Sequence, residues 1–231
     1  MKKITVILLI PGIGISLLIG AYFSGIEWLQ TIVAPPGNRE YGLLENLQLV
    51  ILLAIVVGAV IGLKIKTNRP EKIIMALILA GSVFMFLEEL DYGLFYYRLV
   101  SGNPIDERIA SEFINLHNIG EASPKFKLAG DLSLIILFIV LPLFFSRSRN
   151  NLLRYLAPDR LFVLAVILMF ALSRFAHYLE NSGVGTMGSL HGRISEFREL
   201  FTYYIFLVYF FGLIFRRSYS GPESPIKLPK D

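Results

Sequence analysis

From Ile4 to Phe23 the chain runs for 20 residues without one charged side chain. As a helix, at about 1.5 Å per residue, that run is ~30 Å long, the thickness of a bilayer's hydrocarbon core. Further apolar runs bounded by charges place spans near residues 4–23, 43–63, 73–97, 128–146, 161–179 and 197–215. Composition points the same way. Of the 231 residues 55% are hydrophobic and 17% charged, and the mean hydropathy of +0.62 excludes an ordinary soluble domain. The expected class is an all-α integral membrane protein, multi-pass in the cell membrane. A transmembrane domain of six helices is expected over residues 1–218 and a Pro-rich, disordered cytoplasmic tail over 219–231. Lys2 and Lys3 resemble the start of a signal peptide, but the run ends in AYFSGIEW without a small-x-small cleavage site, so it reads as a retained anchor.

Charge sets the expected orientation. With the N-terminus and C-terminus both cytoplasmic, 14 of the 22 Lys and Arg residues fall inside, against 4 of the 18 Asp and Glu residues. Every internal loop then obeys the positive-inside rule. The basic residues are scattered in short clusters between apolar runs, which excludes nucleic acid as a partner. Without cysteine the chain has no disulfide, no thiolate metal site and no Cys nucleophile.

The unusual polar residues share one level, near the outer ends of the spans. Glu45 and Gln48 open the second span, Glu88 and Glu89 close the third, Asp131 opens the fourth, His177 and Glu180 close the fifth, and Glu196 and Glu199 open the sixth. Glu45/Gln48, His177/Glu180 and Glu196/Glu199 are i, i+3 pairs, each sharing a helix face. A carboxylate in hydrocarbon costs a few kcal/mol even on lenient scales (~3), so such groups face a bundle interior, a partner or a water-filled cavity. Glu88 and Glu89 point about 100° apart, so one is expected to face the bundle centre and the other a neighbouring helix or the headgroups. The bland alternative is that charges at span ends are solvated. It is the expectation for Glu40, Asp106, Glu107, Glu112 and Glu121, and Arg174, Arg193 or Arg198 could neutralise part of the layer as structural glue.

Carboxylates and histidines without cysteine suit Zn, Mn or non-haem Fe. HExxH, GxSxG and a P-loop are all missing from the sequence, and GVGTMG (183–188) lacks the preceding strand a nucleotide site needs, so it reads as an outer loop or lid. Taken alone, NLHN (115–118) reads as a hydrogen-bonding turn.

ENLQ (45–48), FLEELDYG (86–93) and NLHN (115–118) together resemble a group of uncharacterised bacterial polytopic membrane proteins. In these, a paired-glutamate EExxxG segment precedes an NLHN element. The resemblance covers roughly 75 residues, with Asp91-Tyr92 where Ser-Trp is the family pattern, and it implies a shared polar site and no particular reaction.

The expected function is an enzyme acting on a membrane lipid or lipid-linked substrate at the outer leaflet, a divalent-metal-dependent hydrolase being the specific form. Glu45, Glu89, His177 and Glu180 are the expected metal ligands. Glu88, His117 and Glu196 are the expected catalytic groups, and Gln48 and Asn118 the substrate-orienting ones. Two rivals stand beside it. One is a proton- or cation-coupled transporter, which needs polar groups through the full depth. The other is an accessory subunit whose polar layer packs against a protein partner in the membrane.

Overall fold

Prolines, glycines and asparagines set the ends and bends of the helices. A computed structural model describes residues 2–35, 42–90, 100–101, 122–184 and 194–216. Six of its helices are long and apolar enough to span a membrane: α1 (Lys2–Tyr22), α3 (Leu43–Ile65), α4 (Arg69–Glu89), α5 (Ala122–Ile135, continuing through Ile136–Phe145), α7 (Leu161–Asn181) and α8 (Ser195–Phe215). Two short helices, α2 (Glu27–Val33) and α6 (Asn151–Leu156), join them. The described residues contain no strand. Five spans fall within a few residues of expectation. The third starts at Arg69 rather than 73, because Asn68 is extended and Pro70 sits in the first turn, where its missing N–H has no helical partner to lose. It ends at Glu89, and residues 91–97 of the expected span lie outside the described residues.

Both π-helical stretches, Thr5–Leu9 and Ile136–Phe145, adjoin a proline. Pro11 follows the first and Pro142 lies inside the second, and a proline ring collides with the carbonyl four residues back in a regular α-turn. A wider turn relieves that collision. Asn150 caps α6, its Oδ1 accepting from the N–H groups of Leu152 (2.9 Å) and Leu153 (3.2 Å). Gly183, at φ +69°, ends α7 in the left-handed region, with the Val184 N–H bonded to the Leu179 carbonyl. The first glycine of GVGTMG is therefore a helix terminator, and residues 185–188 lie outside the described residues.

The spans alternate in direction, as contacts at both ends demonstrate. Gln48 near the start of α3 meets Glu196 at the start of α8, and Lys66 just past the end of α3 meets Arg216 just past the end of α8. These two helices run parallel. Glu89 at the end of α4 meets Tyr203 in the first half of α8, so α4 runs antiparallel to it. Tyr22 at the end of α1 packs on Phe197, and Phe162 at the start of α7 packs on Tyr209, so α1 and α7 also oppose α8. Asp131 faces Arg198 while Phe138 packs edge-to-face with Phe206 and Tyr209, which sets α5 parallel to α8.

In lipid, burial of apolar surface gives no net drive for helices to associate, so close approach and polar pairs carry the packing. Gly58 and Gly62 on α3 form a GxxxG. A Cβ on Gly58 would come within 2.9 Å of the Phe211 ring on α8, and one on Gly62 within 2.6 Å of the Met75 sulfur on α4. Leu17, Leu77, Phe144 and Phe215, by contrast, are largely exposed, as lipid-facing residues should be.

The end of the bundle opposite the carboxylates holds a second polar cluster. Lys66 and Glu71 are buried, with Nζ and Oε2 3.9 Å apart, and Lys66 Nζ donates to the Arg216 carbonyl at 2.8 Å. The Tyr155 ring lies beneath Lys66 (5.5 Å) and Arg216 (5.8 Å), and its hydroxyl donates to the Leu213 carbonyl at 3.1 Å. Arg216 Nη1 donates to the Tyr155 and Ala157 carbonyls. Burial, with the Glu71 carboxylate nearby, pushes the Tyr155 hydroxyl up to about 12. Lys3 pairs with Asp159 at 2.7 Å just before α7, and that bond holds the Asp159 carboxyl below its usual range. Lys66, Glu71, Tyr155 and Arg216 thus pack against one another at these helix ends.

Candidate functional site

α8 is the spine of the carboxylate end. Glu196, Glu199 and Tyr203 are spaced i, i+3, i+7 and share one helix face. Three spans bring a polar side chain to this region. Gln48 on α3 is fully buried, and its Nε2 donates both to the Glu196 carbonyl and to Glu196 Oε2, each at 3.2 Å. Its Oε1 has no hydrogen-bond partner among the described residues. Glu89 on α4 accepts a 2.6 Å hydrogen bond from the Tyr203 hydroxyl. Asp131 on α5 lies 3.6 Å from Arg198 Nη1. Glu199, Glu45 and Glu196 are the electrostatic neighbours of Glu89. The shared level expected of the carboxylates is present on α3, α4, α5 and α8.

Between α4, α5 and α8, with Leu52 and Ile55 of α3 behind them, lies a cleft of about 780 Å³. Glu88, Glu89, Asp131, Arg198, Glu199 and Tyr203 line one end. The rest is mainly apolar, from Ile78 and Met85 on α4 to Leu134 and Leu137 on α5 and Phe206 and Phe210 on α8, with the hydroxyls of Ser82, Ser133 and Thr202 among it. Its mouth carries small residues: a Cβ added at Gly81 or Gly130 would meet nothing within 4 Å. From Leu77 to Glu89, and from Arg198 to Phe210, the walls are 12 residues long, or about 18 Å of helix. That is roughly the depth of one leaflet of a ~30 Å core.

Glu88 is 1% exposed and both Glu88 and Glu89 line the cleft. One was expected to face the bundle centre and the other a neighbouring helix or the headgroups; Glu89 reaches the neighbouring helix α8 through Tyr203. Gln48 and Glu196 lie behind the cleft as a buried pair. His177 and Glu180 do not line it. They face each other on α7, Nδ1 to Oε2 3.6 Å, with the His177 side chain 46% exposed, and the helices packed closely on α7 are α8, α5 and α1. Of the four expected metal ligands, Glu45 and Glu89 are thus neighbours, while His177 and Glu180 form a separate pair. Among the described residues no three His, Asp or Glu side chains are grouped as one metal ion requires. His117 and Asn118 lie outside the described residues.

Tyr203 and Arg198 are site residues that the sequence reading did not assign. The signal for Tyr203 was its place two turns beyond Glu196 on the same face; Arg198 had been considered only as a neutralising charge, and its partner is Asp131. Arg174 is exposed. Comparison with family models, curated proteins and solved structures found no match to this chain.

Proposed function

We propose that the protein is a membrane-embedded enzyme acting on a lipid or lipid-linked substrate, with Glu88 and Glu89 as its proton-transferring groups and Tyr203 holding Glu89 in position. The single observation that carries this reading is the polarity of the cleft, with carboxylates at one end and a leaflet's depth of apolar wall beyond them. An amphipathic molecule matches that profile; a small polar solute does not. Two carboxyl groups on one cleft supply the donor and acceptor roles that hydrolysis at a head group requires. The surplus of Lys and Arg in the opposite loops supports an outer-leaflet position for the carboxylate end. A transport path is disfavoured, because beyond the carboxylate end the described lining holds no further ionisable group.

A divalent ion (Zn, Mn or Fe) would need ligands beyond the neighbours Glu45 and Glu89, since the described residues group no three, and elemental analysis of the purified protein tests for one. The reaction itself is tested by incubating wild type and Glu89→Gln in nanodiscs of total lipid extract and following lipid masses. Conversion of one lipid class by wild type and its loss in Glu89→Gln is the expected result. Unchanged lipids with wild type would reject the enzyme and favour the accessory-subunit rival.

A further inference from the structure

The two long walls of the cleft are anchored unequally. α4 packs closely on α3, from Met75 against Gly62 to Met85 and Phe86 against the cluster of Leu52, Ile55 and Tyr203. On α5 the anchoring stops partway. From Ile136 onward it packs closely on α7, and Phe138 is fully buried among Phe162, Phe206 and Tyr209. The half towards the carboxylate end, Ala122–Ile135, packs closely on none of the other described helices, only on its own continuation. Leu128, Ala129, Gly130, Leu132 and Ser133 are all exposed, and Leu134 is the first buried residue after them. Within 128–133 Asp131 alone is half-buried, and it is the residue paired with Arg198 of α8.

The boundary between the free and the anchored half coincides with a change of helix type. The π-helical stretch opens at Ile136, and Pro142 within it withholds an N–H from the helical ladder. Long helices bend at such places. An arm of 14 residues, about 21 Å long, therefore extends from a weak point in its own helix and is tied to α8 by an ion pair. The pair is loose, at 3.6 Å with side chains 24% and 37% exposed, and pairs of that kind shift an equilibrium only a few-fold. Across the mouth, Gly81 on α4 and Ala129 and Gly130 on α5 keep the slot between the walls free of bulk.

Resting on the lipid reading above for what passes through it, we propose that Ala122–Ile135 is a hinged lateral gate. The arm swings about the π-helical stretch, Asp131 and Arg198 latch it to α8, and the substrate reaches the carboxylates from within the bilayer, between α4 and α5. A route through water would expose every methylene of an acyl chain, which the lateral route avoids.

The test measures distances between spin labels on pairs of introduced cysteines in the full chain in nanodiscs, where no native cysteine interferes. One pair joins Leu128 on the arm to Leu87 on α4; a control pair joins Phe144 on the anchored half of α5 to Ile73 on α4, all four sites being exposed. With the latch intact, the arm pair is expected to show two populations, the longer by roughly 5 Å, half a helix diameter. Asp131→Asn, and independently Arg198→Gln, should raise the longer population about threefold relative to the shorter. The control pair should keep one distribution throughout. A single, unchanging distribution for the arm pair, or equal changes in both pairs, would overturn the gate. If thermal unfolding shows that a variant fails to fold, the distributions of the two pairs with the latch intact decide. A photoreactive residue in place of Leu77 reports occupancy separately. A lipid adduct beside an immobile arm would overturn the gate alone, and a moving arm without a lipid adduct would overturn the lipid reading and the lateral route with it.

Discussion

The Tyr203 hydroxyl donates a 2.6 Å hydrogen bond to Glu89, joining the last residue of α4 to the third turn of α8 at the polar end of the cleft. α3 packs closely on both α4 and α8, whereas the cleft separates α4 from α5 along their length. This bond therefore fixes the carboxylate at the cleft's rim. Tyr203→Phe removes it while keeping the ring, and a buried bond to a charged or acidic group is worth about 1–3 kcal/mol. Thermal unfolding in nanodiscs should show a loss of that size, with substrate conversion falling further than stability because Glu89 loses its orientation. Unchanged conversion would mean that Glu89 needs no positioning.

At the other end, Lys66 and Glu71 are buried together. Breaking a buried ion pair from one side leaves a charge out of water and costs roughly 3–5 kcal/mol, whereas replacing both partners by apolar groups is often neutral. Lys66→Met should be strongly destabilising, and Lys66→Met with Glu71→Leu should recover most of the loss. A double-mutant cycle by thermal or denaturant unfolding measures this. Additive losses would show that the two side chains act independently.

Much of the fold was legible in the sequence for a simple reason. Uncharged runs such as Ile4–Phe23 have no stable place except a bilayer, and the lysines and arginines between them mark the turns. What escaped was local or tertiary. Pro11 and Pro142 announce a disturbance but not its form, which is a π-helical stretch in both cases. The short helix α2 is tied down by buried Gln30, whose Nε2 donates to the Tyr22 carbonyl at 2.7 Å, a contact with no sequence signature. For the site, common depth and i, i+3 spacing located the layer, yet depth says nothing about azimuth. His177 shares the level of Glu89 and lies on a helix that packs elsewhere. Lys66 and Arg216 looked like ordinary solvated span ends, and only the position of Tyr155 between them makes them a packed cluster.

Asp159 gives a pH dependence. Its carboxyl is held low by the bond from Lys3, by burial only in part opposed, and by the Leu161 N–H. A group depressed in the folded state adds stability above its unfolded value, near 3.8, and loses it as pH falls through the lower folded value. Asp159→Asn should therefore flatten the acid limb of the stability profile below about pH 4 and leave no pH-dependent difference above about pH 6. Parallel acid limbs in the two proteins would assign the acid sensitivity to other groups.

Orientation is tested with single cysteines, which report cleanly because the chain has none of its own. Ser182→Cys lies at the exposed end of α7 beside the carboxylate end, and Arg149→Cys lies in the exposed turn before α6. An impermeant thiol reagent added to intact cells should label the first and reach the second only after permeabilisation. The reverse pattern would move the cleft's polar end to the inner leaflet.

A lipid in the cleft between α4, α5 and α8 lies within reach of a photocrosslinker placed at its mouth. A photoreactive amino acid replaces Leu77, which lines the cleft and is 67% exposed, or Leu164 on α7, which is 51% exposed and does not line it. Each protein is extracted, washed free of bulk lipid in detergent, and irradiated. A lipid adduct at position 77 and none at 164 is expected; no adduct at either position, or equal adducts at both, would rule out a lipid in the cleft.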